Sequence, residues 1–301
     1  MSYKRRMGEK TQISWCDHTW NIWWGCDKVS AGCDACYAEA FDHRLGGEHW
    51  GPTAPRRFFG DAYWRKPLAW NAAAEKAGVR ASVFCSSMAD WAEIHQVPEV
   101  RERQNEARDR LWRLIEETAW LDWLMLSKRP ENFAALLPWT GKVCSWCKPP
   151  GSGVDTCEQG GKCVNCGGSG RAEASEPYPN VTLMVTGENT EQLLRRAAIL
   201  RRTPAIRRGI SAEPLLEHIP AEAWAKALDS RVAEVRHDRL IHWLIVGDES
   251  GPNRRPAQLD WVRTAREAAL RHGVAFHFKQ WNGSGKTVHL PILDGRAHDA
   301  R

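Results

Sequence analysis

Cys26, Cys33 and Cys36 stand at C-x6-C-x2-C spacing in a polar stretch that also contains glycine. Thiolates spaced this way on a loop can converge on one metal centre without passing through a regular element. Structural zinc takes four N or S ligands, and iron–sulfur clusters are normally held by four Cys. Three ligands therefore leave one coordination position open, and an open position is where chemistry occurs. Cys16, in the strand-like run just upstream, is the alternative fourth ligand that would close the site and make it structural. A second group, Cys144, Cys147, Cys163 and Cys166, has C-x2-C-x15-C-x2-C spacing, which fits a tetrahedral zinc knuckle. Residues 148–162 are rich in Pro and Gly, so zinc would supply folding energy that apolar area does not. A second iron–sulfur cluster and a redox dithiol are the competing readings there, and Cys157 is left over as a free thiol.

These groups need elements to position them. After residue 80, short runs rich in Val, Ile, Leu and Trp alternate with longer amphipathic stretches. The runs 81–85, 121–126, 181–186, 207–211, 241–246 and 274–278 read as strands, with a first strand in 13–24. Residues 99–118 carry Leu111, Leu114 and Ile115 at helical spacing. Helix 189–201 opens on Asn189 and Gln192 in a capping-box-like arrangement, and helix 259–272 stops at Gly273. Repeated strand–helix units imply a mostly parallel sheet with helices outside it. In a parallel αβ barrel the functional groups follow the carboxyl ends of the strands. Polar or charged residues occur there after every run: Ser86, Ser87 and Asp90; Ser127, Lys128 and Arg129; Glu188 and Asn189; Ser211 and Glu213; Asp248, Glu249 and Ser250; Lys279 and Gln280.

Several strings carry a family resemblance. They are Thr11-Gln-Ile-Ser-Trp-Cys-Asp-His-Thr-Trp-Asn21, Cys36-Tyr-Ala-Glu39, Val83-Phe-Cys-Ser-Ser-Met-Ala-Asp-Trp91, Leu124-Met-Leu-Ser-Lys-Arg-Pro-Glu131, Ile210-Ser-Ala-Glu-Pro-Leu215, Ile245-Val-Gly-Asp-Glu-Ser-Gly251 and Phe278-Lys-Gln-Trp281. In these the chain resembles a phage and prophage family of uncharacterised proteins described by a three-Cys motif. That family is distantly similar to radical S-adenosylmethionine (SAM) enzymes, spore photoproduct lyase among them. The resemblance implies an α/β fold, a partial (βα) barrel of the radical-SAM type, here with an inserted four-cysteine zinc knuckle. It implies a [4Fe–4S] cluster on Cys26, Cys33 and Cys36, with S-adenosylmethionine on the fourth iron. Tyr37 matches the aromatic position near adenine, and Ser86, Ser87 and Asp90 occupy the loop that holds the amino-acid end of the cofactor. Glu188 or Glu213 is placed for the ribose, and Lys128, Arg129, Glu249 and Lys279 for the substrate. The sequence departs from the usual radical motif, with six residues where three normally separate the first two Cys, and it lacks the glycine-rich acidic signature after the second strand.

The expected organisation is a flexible N-terminus at 1–10, a barrel from 11–140 and 177–282, a knuckle at 141–176, and a poorly ordered C-terminal tail at 283–301. At 301 residues and 43% hydrophobic content the chain is long and apolar enough for a buried core. Ten Cys without a signal peptide or long apolar run point to metal ligation in a reducing cytoplasm, that of the host if phage-encoded, with no membrane span. A net charge of +5 permits nucleic-acid binding without demanding it. The 17 Trp are read mainly as core residues, with some available to stack on bases. Arg195, Arg196, Arg201, Arg202, Arg207 and Arg208 form a basic run, read either as a solvated helix face or as a phosphate track. No G-x-x-x-x-G-K-[ST] loop or G-x-G-x-x-G fingerprint occurs, which leaves nucleotide hydrolysis and Rossmann chemistry without support.

The function expected is a radical enzyme modifying or repairing nucleic acid or a nucleotide, supplied with electrons by flavodoxin or ferredoxin and open to help from a partner protein. The alternatives are a zinc-stabilised nucleic-acid-binding protein without catalysis, in which Cys16 completes the first site, and a radical enzyme acting on a small metabolite or peptide.

Overall fold

In chain order the strands are β1 (His18–Trp20), β2 (Trp23–Trp24), β3 (Arg57–Phe58), β4 (Ala81–Cys85), β5 (Leu121–Ser127), β6 (Lys142–Val143), β7 (Arg171–Ala172), β8 (Val181–Thr186), β9 (Arg207–Ala212), β10 (Trp243–Gly247), β11 (Ala275–Trp281) and β12 (Val288–His289). The α-helices are α1 (Tyr37–Arg44), α2 (Asp61–Trp64), α3 (Lys66–Ala77), α4 (Pro98–Glu117), α5 (Phe133–Leu136), α6 (Thr190–Arg202), α7 (Ala221–Leu228) and α8 (Leu259–Arg271). The computed structural model describes residues 11, 13–143, 171–172, 175–229, 240–251, 253–283 and 285–300. Cys144, Cys147, Cys157, Cys163 and Cys166, and with them the zinc knuckle, lie outside the described residues.

One sheet runs in the order β1-β4-β5-β8-β9-β10-β11-β12. Its first seven strands are mutually parallel, and β12 pairs antiparallel to β11. Parallel neighbours that follow chain order need a crossover at every step, and crossovers of one hand place their helices on one face. The sheet curls into an α/β half-barrel with those helices outside. Alternation along the strands divides the core accordingly. Val83, Cys85, Trp123, Met125, Leu183, Val185, Leu244 and Val246 point into the large cluster beneath the helices. Phe84, Leu124, Met184, Trp243 and Ile245 point the other way, into a smaller cluster on the concave face. Gly209 suits that concave face, because an added Cβ would lie 2.9 Å from Met184 Cε.

The concave face is covered by the chain's own N-terminal segment. The apolar pattern of residues 13–24 predicts one strand, but only His18–Trp20 pairs with β4. Upstream, Trp15 and Cys16 cross the open face, with the Trp15 ring 4.6 Å from Phe84. Downstream, Asn21 ends the strand by turning its side chain to the neighbouring loop, where Oδ1 accepts from Met88 N at 2.6 Å. Its backbone N–H donates to the Tyr63 hydroxyl at 3.0 Å. The chain then leaves the sheet, and β2 pairs with β3 instead.

Two further expectations change. In place of a poorly ordered tail after residue 282, β12 extends the sheet, Leu293 is buried, and the Trp243 indole donates to Ala300 O at 2.8 Å. The basic run is split between interior and surface: Arg195, Arg202 and Arg207 are exposed, and the others are not. Arg196 and Arg208 are fully buried, and Arg208 donates to Leu200 O and Thr203 O. Arg201 caps the carbonyls of Lys226 and Asp229, while Arg195 and Arg207 face Glu131 and Asp122. The Trp content is mostly core as expected, with Trp15, Trp20, Trp23, Trp91, Trp123, Trp139 and Trp224 among the largest fully buried side chains. Among the described residues no helix is long and apolar enough to cross a membrane.

Candidate cluster and cofactor site

The segment between β2 and α1 lies over the carboxyl ends of the parallel strands. Gly25 starts it, with φ of +110°, a conformation that favours glycine. A Cβ there would also come within 2.3 Å of His49 O. Cys26 follows, Cys33 closes a short 3-10 turn (Ala31–Cys33), and Cys36 is the N-cap of α1. The N-terminal end of a helix favours a thiolate.

Three arginine–carboxylate pairs hold this loop at three points. Arg129 bonds Asp90 at 3.1 Å, donates to Asp27 O at 2.7 Å and lies 3.4 Å from Cys26 Sγ. Arg196 bonds Glu188 at 2.6 Å, and both reach the Ser30 hydroxyl. Arg255 grips Glu249 through two bonds and donates to Ala31 O at 2.7 Å, with Asp34 at 3.4 Å. Gly32 admits the Glu188 carboxylate, because a Cβ would meet it at 3.0 Å. Burial opposes the Glu188 charge, but Arg196, Lys128 and the Ser30 hydroxyl outweigh it and hold its carboxyl below the usual range.

Under the loop is a cavity of about 1040 Å³ including its open mouth, lined by the three thiols on one side and by strand-end residues on the other. Of the residues read from sequence, Cys26, Cys33, Cys36, Tyr37, Ser86, Ser87, Asp90, Lys128, Arg129, Glu213, Glu249 and Lys279 line it. Glu188 does not; it lies fully buried behind the Cys loop, paired with Arg196. Asp90 lines the wall but is occupied, accepting from Ser127 Oγ, Lys128 N, Ala92 N and Arg129. Tyr37 donates its hydroxyl to Ser87 O at 2.8 Å, tying α1 to the loop after β4. Across the cavity Lys279 pairs with Glu213, which also accepts from Ser250 at 3.2 Å.

Burial pushes the Cys26 thiol up to about 12, against the pull of the Arg129 guanidinium. Such a thiol is no nucleophile at neutral pH, and ligation to a metal is what would displace its proton. Burial lowers the Lys128 ammonium, but Cys33, Glu188 and Cys36 outweigh that and raise it. Lys128 has no hydrogen-bond or ion-pair partner for its ammonium among the described residues.

Cys16, the alternative fourth ligand, does not line this cavity; it is packed with Trp15 in the concave cluster. Among the described residues no three His, Cys, Asp or Glu side chains stand close enough to hold one metal ion. Cys16 is thus set apart from the wall that Cys26, Cys33 and Cys36 share. A four-iron cluster is a wider body on which each Cys binds a different iron. Three cavity-facing thiols with a guanidinium and an ammonium beside them suit that anionic group.

Sequence reasoning missed Ser30, Arg196 and Arg255 as loop clamps. The only signal was a small polar residue three positions ahead of Cys33; the arginines come from 166 and 224 positions away from their loop partners.

A family model described as "protein of unknown function (DUF5131)" matches residues 10–300. The chain belongs to the DUF5131 family. No curated protein matches it. Among solved structures it is similar to a mutant of spore photoproduct lyase with bound AdoMet and a dinucleoside spore photoproduct, at 11% identity and a TM-score of 0.41, over 85% of this chain. The DUF5131 chain spans 62% of that protein. Two other mutants of the same lyase match at 10% identity and a TM-score of 0.48, one over 90% of this chain and 79% of theirs, the other over 91% and 79%.

Proposed function

We propose that this DUF5131 chain is an iron–sulfur enzyme of the radical SAM kind, with Cys26, Cys33 and Cys36 as the protein ligands of a [4Fe–4S] cluster and nucleic acid or a nucleotide as substrate. The observation that carries the reading is the three thiols on one wall of a strand-end cavity, with Arg129 against one sulfur and Lys128 near the other two. When bound, the cluster with S-adenosylmethionine would supply one-electron cleavage of the sulfonium and hence hydrogen abstraction from a substrate. The electron would come from a donor of the flavodoxin or ferredoxin kind.

The chain's own residues supply placement. Arg129, Arg196 and Arg255 fix the loop that presents the thiols. Lys128, with its ammonium unpaired among the described residues, offers a positive charge to the cofactor carboxylate, and Tyr37 with Ser86 and Ser87 forms the wall beside it. The Glu213–Lys279 pair and Ser250 face the space left for substrate. Trp15 and Phe84 floor the cavity with apolar surface on the concave face.

The test is electron paramagnetic resonance on anaerobically reconstituted, dithionite-reduced protein, with iron and sulfide counted. A [4Fe–4S]⁺ signal that changes on adding S-adenosylmethionine, and is lost in Cys33→Ala/Cys36→Ala, is the expected result. Protein that takes up zinc and no iron at Cys26, Cys33 and Cys36 would overturn the reading.

A further inference from the structure

Much of the basic run at 195–208 is taken up by the fold, with Arg196 and Arg208 buried and Arg195 and Arg207 facing carboxylates, and the surface carries a strip of free cations elsewhere. It begins at both ends of the Cys loop. Trp24, two residues before Cys26, and Phe41, five residues after Cys36, meet edge to face at 6.0 Å. Trp24 continues to Phe59 at 6.1 Å, and Phe59 stacks on Tyr63 at 4.2 Å. All four rings are half-buried, so each keeps part of its surface in solvent.

An exposed cation stands over each part of this ladder. Arg44 lies 5.0 Å from the Phe41 centroid, Arg57 5.0 Å from Trp24 and 5.6 Å from Phe59, and Lys66 5.0 Å from Tyr63. Among the described residues none of the three pairs with a carboxylate, although ion pairs are common elsewhere on this surface. The strip runs into a groove whose empty space is about 510 Å³ including its mouth, floored by Phe58, Phe59 and Trp64 and edged by Arg103 and Arg110 with the Glu106 carboxylate between them in sequence. Arg103 lies 4.2 Å over Phe58, and Arg110, bound to Asp61, lies 4.5 Å over Trp64.

We propose that this strip and groove bind single-stranded nucleic acid, with phosphates against Arg44, Arg57 and Lys66 and bases against the solvent-facing surfaces of Trp24, Phe41 and Phe59, Tyr63 being already stacked on Phe59 and Trp20. Unpaired cations call for an anionic partner, which phosphates satisfy. Aromatic faces interleaved with those cations call for flat apolar surfaces at the same spacing, which unpaired bases offer and a stacked duplex withholds. An acidic peptide would satisfy the cations and leave the rings uncovered. The inference rests on the proposed function only for what the strand meets in the cavity; binding itself needs neither cluster nor cofactor.

The experiment is fluorescence anisotropy of the full-length protein with a labelled 15-nucleotide single strand, the corresponding duplex, and polyglutamate as competitor, at several salt concentrations. The expected result is tighter binding of the single strand than of the duplex. In Arg44→Gln/Arg57→Gln/Lys66→Gln affinity falls at least about tenfold, and the salt slope drops by about 2, from three lost phosphate contacts at about 0.7 each. Phe59→Leu weakens the single strand about threefold or more with the slope kept, as loss of a stacking face does. Arg195→Gln/Arg207→Gln, drawn from the 195–208 run, changes affinity less than about twofold, as removal of charges that already face carboxylates should. Iron content after reconstitution stays the same in all variants, which separates this outcome from that of the cluster test. Equal loss in both charge variants, equal binding of duplex, polyglutamate displacing the strand at equal charge, or no oligonucleotide binding by the unaltered protein would each overturn the proposal.

Discussion

Arg196 and Arg57 are the same residue type put to opposite uses. Arg196 has no exposed surface and spends its guanidinium on Glu188, Thr186 O and Ser30. Arg57 stands in solvent over two rings with no carboxylate beside it among the described residues. The first belongs to a dense run of arginines and serves the interior; the second has only Arg56 as a basic neighbour and faces outward. Arg56 itself is buried, bonded to Glu93 through two nitrogens and to four loop carbonyls. Density of charge along a sequence therefore says little about density of charge on a surface. A buried guanidinium is a multi-point fastener whose charge must be matched, whereas an exposed one is available to a ligand because nothing inside matches it.

The sharpest way to break this contrast is Arg196→Met. It leaves Glu188 buried without its partner, and removing one member of a buried pair costs about 3–5 kcal/mol. The expected outcome is a melting temperature lowered by several degrees, read by differential scanning calorimetry, with iron loading reduced because Ser30 keeps only Glu188 of its two partners. Replacing both partners, Glu188→Leu/Arg196→Met, should recover much of the stability, since no charge is stranded. Iron loading should not return with it. A double variant as unstable as the single one would show that the pair's worth lies elsewhere.

Arg255→Gln comes next. This arginine is partly exposed, and its removal frees Glu249, Ala31 O and Asp34 on the loop's outer side. The cost should be about 1–2 kcal/mol, between that of a surface pair and a buried one. Unfolding by urea with an unchanged m-value would measure it. Arg57→Gln should move the same midpoint by no more than about 0.5 kcal/mol, as exposed substitutions do. A larger loss would mean that the cation over Trp24 and Phe59 is a structural fastener after all.

The same distinction governs what could be read from the sequence. The strands 81–85 and 181–186 were legible to the residue because each is a short apolar run that alternates two buried faces, and such runs carry their own period. Asn189 was legible as a cap because its partner Gln192 is three residues away, and the side chain does accept from Gln192 N at 2.9 Å. The strand-end residues were legible as a ring because parallel topology forces them to one end. The segment 13–24 misled because Ile and Trp are as apolar on a floor plug as on a strand, and only Asn21 bonding to Met88 breaks the run. Glu188 follows a strand like the others, yet Arg196, nearly two turns into α6, draws it behind the loop. Pairings across more than a hundred residues leave no local mark, and the clamps of the Cys loop are all of that kind.

The smallest effect sharpens the comparison from the other side, with a buried cation that has no partner to keep it charged. His298 is buried with its Nε2 lacking any hydrogen-bond partner among the described residues, near the edge of Phe276 at 5.5 Å. Burial first, and then Arg296, lowers its pKa below 6.5, against the opposing pull of Leu293 O and Asp294. The unfolded chain therefore binds more protons at this residue than the folded one once pH falls below 6.5. Stability is full above that pH and is lost as pH falls from it toward the folded value. His298→Gln keeps a polar side chain but cannot titrate, so its urea midpoint should fall less than that of the unaltered protein between about pH 7.5 and about pH 5.5, the range that spans an unperturbed histidine. The backbone carbonyl of residue 298, which accepts from Phe278 N at 2.8 Å, remains in both. Equal losses in the two proteins would place the acid sensitivity in the carboxylates instead. Unequal losses would show that burial, with Arg296 beside it, expels a charge which at Arg196, given Glu188, the same interior accepts.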